Sequence, residues 1–265
     1  MAWADDQIAK PMGYEHAVLF PRARDAIKAY VEVTARKVLG LPSNICPEAF
    51  KAAGDKARSQ EIDQATGLAP NLAVQLYGYR NEVSAPLEID PLMTGWVGRP
   101  CCESTIISFG FKKTLNVGCG GAFLTNNTLL AAAMMDFGFW PGGDELTALV
   151  QKELGRIHWR RDVRFEQIKR WDAALGDLLP RIPMEQVMPW RVMRRVPDWG
   201  PKDKFHDRSK RDTVVAAVRA GRIPVGTNYP PLTGSNKWGD EVINFFPEFE
   251  APGLAADSIE RALYG

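Results

Sequence analysis

The chain has 265 residues, which is enough for one large domain or two smaller ones with a sizeable core. Its 33 basic and 32 acidic residues leave a formal net charge of +1, so charge gives no reason to expect nucleic acid or an acidic membrane as a partner. The sequence shows neither a signal-peptide pattern at its start nor an uncharged apolar run of transmembrane length, so we expect no membrane partner. Four cysteines without a Cys-x-x-Cys pair, together with three histidines, argue against a metal site and favour reduced thiols in a cytoplasmic protein.

The first segment in which apolar residues recur at a regular spacing predicts a long helix. The short apolar run His16–Phe20 ends at a proline, and apolar residues then recur at helical spacing as far as Gly40. A helix that begins near Ala23 and Arg24 leaves its first N–H groups without intrahelical acceptors, and such an end favours anions. The residues alone leave open whether this helix start is an anion site or an ordinary surface end.

Short elements are predicted next. Pro47–Ala53 is expected to be a helix, and the stretch 57–79 a strand, a turn and a second strand. Asp90 follows an apolar strand, so its carboxylate is expected at the carboxyl end of that strand, where open α/β sheets bind ligands. The alternative for Asp90 is a turn aspartate before proline.

Only seven residues separate Tyr79 from Leu87. Since a parallel crossover needs roughly a dozen, we expect a tight link or a local change in the sheet.

The segment 108–121, SFGFKKTLNVGCGG, combines a hydroxyl, two lysines and several glycines. A lysine amine attacks a carbonyl only when it is deprotonated, and apolar surroundings or a second cation favour that form. Lys112 and Lys113 supply each other with that cation, and in an extended run only one of them can enter a given pocket. The glycines allow positive φ and close approach of the backbone to a ligand. The segment is therefore either a covalent lysine site or a basic strand end followed by a glycine-rich turn into a strand at 122–125.

Helices are predicted to dominate from residue 129 to about 179. A Pro-Gly-Gly break at 141–143 separates the first helix from the second, with Asp144 as the expected N-cap. A stripe of apolar and aromatic residues follows at helical spacing and is predicted to be core rather than part of a cofactor site. The stripe comprises Phe165, Ile168, Trp171 and Leu175.

The last part of the chain predicts a strand, a charged loop, a helix at 211–220 that Gly221 ends, and another strand. This order is typical of a small α+β unit. We therefore expect a large α/β domain over residues 1–180 and a small C-terminal α+β domain over residues 181–265.

The run 106–126 resembles a known family through Ser-Phe five and four residues before Lys113 and Gly-Gly after it. It looks like the cofactor-lysine segment of the DegT/DnrJ/EryC1/StrS aminotransferases. These are fold-type I, pyridoxal-phosphate-dependent enzymes that mostly aminate keto sugars carried on nucleotides. The resemblance implies an α/β three-layer sandwich with a mixed, mostly parallel sheet and a small C-terminal α+β domain. It also implies that Lys113 holds pyridoxal 5′-phosphate as a Schiff base and that Ser108 contacts the cofactor phosphate.

The same resemblance assigns further site residues. Ala23 and Arg24 stand in the helix start that lies over the phosphate, where the family has glycine and a hydroxyl residue. Asp90 aligns with the aspartate that keeps the pyridine nitrogen protonated, so that the ring acts as an electron sink. Met93 replaces the usual glutamine near the phenolic oxygen of the cofactor. The loop in which the family commonly has an aromatic residue stacked on the ring holds Asn44, Ile45 and Cys46 here, so the stacking residue is either missing or comes from elsewhere, with Trp96 as a possible substitute.

The implied activity is the transfer of an amino group from an amino acid, glutamate being the expected donor, to a nucleotide-linked keto sugar. Asn228 and Tyr229 are expected on the substrate side of the pocket, with a proline-rich turn as the alternative. The family completes its pocket across a homodimer, so a homodimer is expected. The departures from the family pattern favour one alternative function, a catalytically silent homologue that acts as a binding or partner subunit.

Overall fold

A computed structural model describes residues 6–34, 39–41, 47–54, 57–59, 72–74, 87–89, 102–111, 113–138, 143–176, 178–179, 192–195, 208–227, 242–246 and 250–264. Eight helices, one short 3₁₀ turn and ten strands lie in these ranges. In chain order they are α1 (Asp6–Ala9), the 3₁₀ turn (Lys10–Met12), β1 (His16–Phe20), α2 (Ala23–Val33), β2 (Leu39–Leu41), α3 (Pro47–Ala53), β3 (Ala57–Ser59), β4 (Leu72–Val74), β5 (Leu87–Ile89), β6 (Ser104–Ser108), β7 (Gly121–Thr125), α4 (Thr128–Met135), α5 (Gly143–Leu154), α6 (Ile157–Leu175), β8 (Val192–Arg195), α7 (Arg208–Ala220), β9 (Val225–Thr227), β10 (Val242–Phe245) and α8 (Pro252–Tyr264).

The main sheet has five strands in the order β1-β7-β6-β5-β4. Strands β4, β5 and β6 are parallel, and β7 runs antiparallel to both β6 and β1. Four of the five strands therefore share one direction and only β7 opposes them. The parallel pair formed by β2 and β3 lies beside this sheet, where β2 contacts β4. The expected mixed, mostly parallel sheet is confirmed. Strands β4 and β5 pair in parallel, and the connection between them, for which a tight link or a local change in the sheet was expected, lies outside the described residues.

The sheet is covered on both faces because alternate residues of each strand point in opposite directions. Phe20, Ile106 and Phe123 face a core shared with α2 and α4. Their neighbours along the strands face a second core shared with α1 and α5. The second set includes Leu19, Ile107, Ala122 and Leu124. The chain thus forms the expected three-layer α/β arrangement of helix, sheet and helix.

Helix α2 begins at the predicted position and buries the predicted apolar stripe, including Ala26, Ile27 and Tyr30. Its predicted end at Gly40 is wrong. The helix stops at Val33, where the backbone N–H and the hydroxyl of Thr34 both donate to the carbonyl of Tyr30. Threonine side chains compete in this way for helix carbonyls. Gly40 instead lies in β2, paired in parallel with β3.

Two predicted boundaries in the second half also need correction. Asp144 is not the N-cap of α5, because the helix already includes Gly143 and places Asp144 in its first turn. A carboxylate there still stabilises the helix, since it lies near the positive end of the helix dipole. Helix α7 starts at Arg208, within the stretch predicted as loop, and ends at Ala220 before Gly221 as predicted. No described helix has both the length and the apolar character needed to cross a bilayer.

The C-terminal part has its own antiparallel sheet in the order β8-β10-β9, packed against α7 and α8. Its core includes Trp171, whose ring stacks on Phe245 at a centroid distance of 4.9 Å. The core role predicted for Trp171 and Leu175 is confirmed. Both residues precede the expected domain boundary at residue 180 yet pack with residues beyond it, so the boundary stays a prediction.

Candidate functional site

Three segments that are distant in sequence meet at one edge of the main sheet. Ser108, the last residue of β6, pairs with Gly121, the first residue of β7. Gly120 forms an isolated parallel β-bridge with Arg22, the residue directly before α2. Strands β1, β5 and β6 share one direction, so the ends of β1 and β6 and the start of α2 lie at the edge where these strands end. Ligands of open α/β sheets bind at this kind of edge.

Gly121 allows the start of α2 to approach the sheet this closely. A Cβ atom at this position would lie 2.7 Å from the backbone nitrogen of Ala23, 2.8 Å from its Cα and 2.9 Å from the carbonyl oxygen of Ile107. All three are backbone atoms, which cannot rotate away. The absence of a side chain at residue 121 therefore brings the first turn of α2 against the end of β6.

The start of α2 presents donors that suit an anion. Arg22 has an extended backbone, with φ −152° and ψ 146°, and no side-chain hydrogen bond from it caps the helix in the described structure. The first N–H groups of a helix have no intrahelical acceptors and point toward a ligand at that end. Ala23 and Arg24 thus lie where the sequence placed them, with their backbone N–H groups at the helix start.

The side chain of Arg24 points to a different partner. Its Nη1 donates to Oε2 of Glu48, in the first turn of α3, at 2.9 Å. This hydrogen bond, followed by one from Lys51, holds the pKa of the Glu48 carboxyl below its ordinary value. The guanidinium of Arg24 is therefore engaged by an exposed carboxylate in this structure.

The lysine segment forms a loop that is closed at its base. The N–H of Phe109 donates to the carbonyl of residue 120, and the carbonyl of Phe109 accepts from the N–H groups of Val117 and Gly118, each at 3.0 Å. The N–H of Lys113 donates to the carbonyl of Gly110 at 3.2 Å, which makes a turn before the lysine. Lys113 is half-buried and lies in this loop rather than in an extended run, so strand alternation does not select between the two lysines. Lys112 lies outside the described residues.

Two glycines of the segment adopt the positive φ that the sequence predicted. Gly118 has φ +99° and Gly120 has φ +94°, a region that other residues rarely adopt. These two residues carry the chain from the lysine loop back into β7. The return places the loop at the same sheet edge as Ser108 and the α2 start.

The remaining predicted site residues lie outside the part of the chain that the structure describes. Strand β5 ends at Ile89, directly before Asp90 in sequence, and pairs in parallel with β6. The carboxyl end of β5 therefore faces the same edge as Ser108. Asp90, Met93, Asn228 and Tyr229 are themselves outside the described residues, so their roles stay predictions. Within the described ranges, no group of three or more His, Cys, Asp or Glu side chains could hold a metal ion.

Sequence reasoning missed one contact to the lysine loop. Nη1 of Arg160, on α6, donates to the backbone carbonyl of Thr114 at 3.1 Å, and the same guanidinium pairs with Glu153 of α5. Arg160 and Thr114 are 46 residues apart, and nothing in the residue pattern of either segment indicates the other.

Comparison with known proteins establishes the fold. No family model and no curated protein matches the chain. Among solved structures it is similar to a DegT/DnrJ/EryC1/StrS aminotransferase from Brucella abortus, with 15% identity and a TM-score of 0.70 over 99% of this chain and 89% of the other. It is also similar to DesI, solved in the presence of its TDP-sugar product, with 16% identity and a TM-score of 0.73 over 99% and 84% of the two chains. A third similar structure is NtdA from Bacillus subtilis with bound cofactor PMP, with 14% identity and a TM-score of 0.71 over 100% and 78%. The chain therefore has the fold-type I fold of these aminotransferases, as the sequence resemblance implied.

Proposed function

We propose that the protein is a pyridoxal-phosphate-dependent aminotransferase of the DegT/DnrJ/EryC1/StrS family. It would transfer an amino group from an amino acid, with glutamate as the expected donor, to a keto sugar carried on a nucleotide. The observation that carries this proposal is the meeting of the α2 start, Ser108 and the Lys113 loop at the sheet edge where parallel strands end.

The described residues fit both ends of the cofactor. A phosphate requires several N–H and O–H donors, and a helix start supplies backbone donors for it. We assign the phosphate to the first turn of α2, through the backbone of Ala23 and Arg24, and to the hydroxyl of Ser108. Gly121, which carries no side chain, lets the first turn of α2 lie close to the end of β6. The half-buried Lys113, in the loop that returns to this edge, supplies the amine for the aldehyde end.

When bound, the cofactor supplies an aldehyde that condenses with an amine, releasing water, and a ring that accepts an electron pair from the neighbouring carbon. Lys113 has two tasks in this reaction. Its Nζ would have to be deprotonated to bond the aldehyde, and the free amine would hold and move a proton at the reacting carbon. Asp90 would hold a proton on the ring nitrogen, a task that suits the residue directly after β5.

The acceptor is proposed on similarity of fold together with the sequence resemblance. DesI, which shares this fold, has been solved with a TDP-sugar product, which supports a nucleotide-linked sugar. Asn228 and Tyr229 are proposed to contact the substrate. A second subunit is proposed to complete the pocket, so the protein should elute and scatter light as a homodimer.

The test combines spectroscopy with a half-reaction. The purified protein, mixed with pyridoxal phosphate, should turn yellow, and glutamate should bleach this absorbance while releasing one equivalent of 2-oxoglutarate. Nucleotide-linked keto sugars, tested as a panel, should restore it. Lys113→Ala should abolish the yellow form. A wild-type protein that takes up no cofactor would contradict the proposal.

One contact favours the alternative, a catalytically silent homologue. Arg24 replaces a hydroxyl residue of the family, and its guanidinium bonds to Glu48 of α3. A silent homologue would stay colourless with added cofactor and would not respond to glutamate. An active enzyme would bind the phosphate through the backbone of the helix start and leave the Arg24 to Glu48 pair intact.

A further inference from the structure

The Lys113 loop, which comprises the residues between Phe109 and Gly118, accepts a hydrogen bond from another helix at the end opposite its base. The base is closed by the bonds of Phe109, as described above. Thr114, the residue after the lysine, is only 2% exposed, so its carbonyl oxygen cannot rely on water for a hydrogen bond. Arg160 supplies that bond from α6, through Nη1 at 3.1 Å.

The guanidinium of Arg160 is itself held in place. Its Nη2 pairs with Oε2 of Glu153, whose side chain is 12% exposed, against 26% for Arg160. A carboxylate this buried requires a cation beside it, because the loss of water is costly for a charged group. The other oxygen of Glu153 lies 3.8 Å from Nη1 of Arg156, whose side chain is 53% exposed. Among the described residues, Arg156 forms no hydrogen bond with the loop. The planar guanidinium of Arg160 can bond the carboxylate and the carbonyl at once, which a lysine ammonium cannot do with the same geometry.

We propose that Arg160 is a positioning residue for Lys113: held by Glu153, it fixes the Thr114 carbonyl and thereby the backbone that carries the reactive amine. This inference rests on the proposed function for its catalytic meaning. Among the described residues, the bonds of Arg160 go to the Thr114 carbonyl and to Glu153, so its role is to position the loop. Arg160 acts by restricting the loop that carries the amine, and a misplacement of the amine by about 1 Å costs up to ~100-fold in rate.

The test compares Arg160→Lys with the matched control Arg156→Lys. Both variants keep a positive charge near Glu153, but only the first removes the guanidinium that reaches both Glu153 and the Thr114 carbonyl. We expect Arg160→Lys to slow the covalent attachment of pyridoxal phosphate by about tenfold or more, measured by trapping with borohydride over time. Its affinity for 4-deoxypyridoxine 5′-phosphate, which has no aldehyde, should stay within about twofold of wild type, since the phosphate donors are unchanged. Arg156→Lys should match wild type in both assays.

Hydrogen exchange gives a second readout that needs no cofactor. In the cofactor-free protein, the amides of residues 113–118 should exchange faster in Arg160→Lys than in wild type or Arg156→Lys. If wild type fails to attach cofactor, the proposed function fails, and the exchange comparison still decides whether Arg160 holds the loop. The inference is overturned if Arg160→Lys leaves both the exchange and the attachment rate unchanged. It is also overturned if Arg160→Lys lowers both the rate of pyridoxal phosphate attachment and the affinity for the analogue, since that would indicate general damage to the fold.

Discussion

Replacing Gly121 by alanine would place a methyl group between the first turn of α2 and the end of β6. The new Cβ would lie 2.7–2.9 Å from three backbone atoms, two of Ala23 and one of Ile107. Ordinary contact begins at 3.4 Å, so the helix start must move away by about 0.7 Å or the strand must shift. A small-to-large change that displaces backbone costs typically about 1–3 kcal/mol.

The expected loss can be expressed as a shift in unfolding temperature and in cofactor affinity. For a chain of this size, 1 kcal/mol corresponds to roughly 2–4 °C, so Gly121→Ala should lower the midpoint by several degrees. The same displacement withdraws helix N–H donors from the phosphate, and the loss of one charge-assisted hydrogen bond, ~1.5–3 kcal/mol, corresponds to roughly 10- to 100-fold in affinity. Calorimetry of the cofactor-free protein measures the first effect, and absorbance titration with pyridoxal phosphate measures the second.

Gly143→Ala provides the control. Among the described residues, a Cβ at this position would meet only Leu19 Cδ1, at 3.9 Å, which is an ordinary contact. Its effect on stability should stay within about 0.5 kcal/mol, as for substitutions that disturb no packing. If Gly121→Ala melts and binds cofactor like Gly143→Ala, the close approach of α2 to the sheet edge is not what shapes the site.

Three further predictions follow from particular contacts. Ser108→Ala should weaken the binding of pyridoxal phosphate about tenfold without changing the unfolding midpoint by more than a few degrees, and an unchanged affinity in the titration would remove Ser108 from the phosphate site. Because the Arg24 guanidinium lowers the pKa of Glu48, the pair stabilises the fold above the ordinary pKa of Glu48, and this contribution is lost as the pH falls through the lowered value. Arg24→Ala should therefore raise the pKa of Glu48, measured by NMR of its side-chain carboxyl, and no change would mean that the two groups do not pair in solution. Trp171→Ala should lower the free energy of unfolding by about 3–5 kcal/mol in urea titration, since the ring is only 1% exposed, and a loss below about 1 kcal/mol would contradict its place in the C-terminal core.

The features that local sequence predicted are those set by near neighbours in the chain. The start of α2 at Ala23 follows from a proline and an apolar period, and the strand at Gly121–Thr125 follows from a glycine-rich turn before an apolar run. The resemblance supplied what periodicity could not, the mixed sheet that brings Ser108 beside the start of α2.

The features that sequence did not predict depend on competition or on distant contacts. The end of α2 was missed because Thr34 takes a helix carbonyl and the next apolar residues pair as β2. Arg24 pairs with Glu48 because α3 packs against α2. The spacing of residues along the sequence does not predict that packing. The contact of Arg160 with the lysine loop likewise depends on how α6 lies against it.

Locating the covalently trapped cofactor tests the central claim most directly. The protein would be incubated with pyridoxal phosphate, reduced with borohydride and digested, and the fragment spanning residues 108–121 would be sequenced by tandem mass spectrometry. Our account predicts one added pyridoxyl phosphate on Lys113 and none on the adjacent Lys112. Label on Lys112, or a fragment without label while other lysines carry it, would contradict the account.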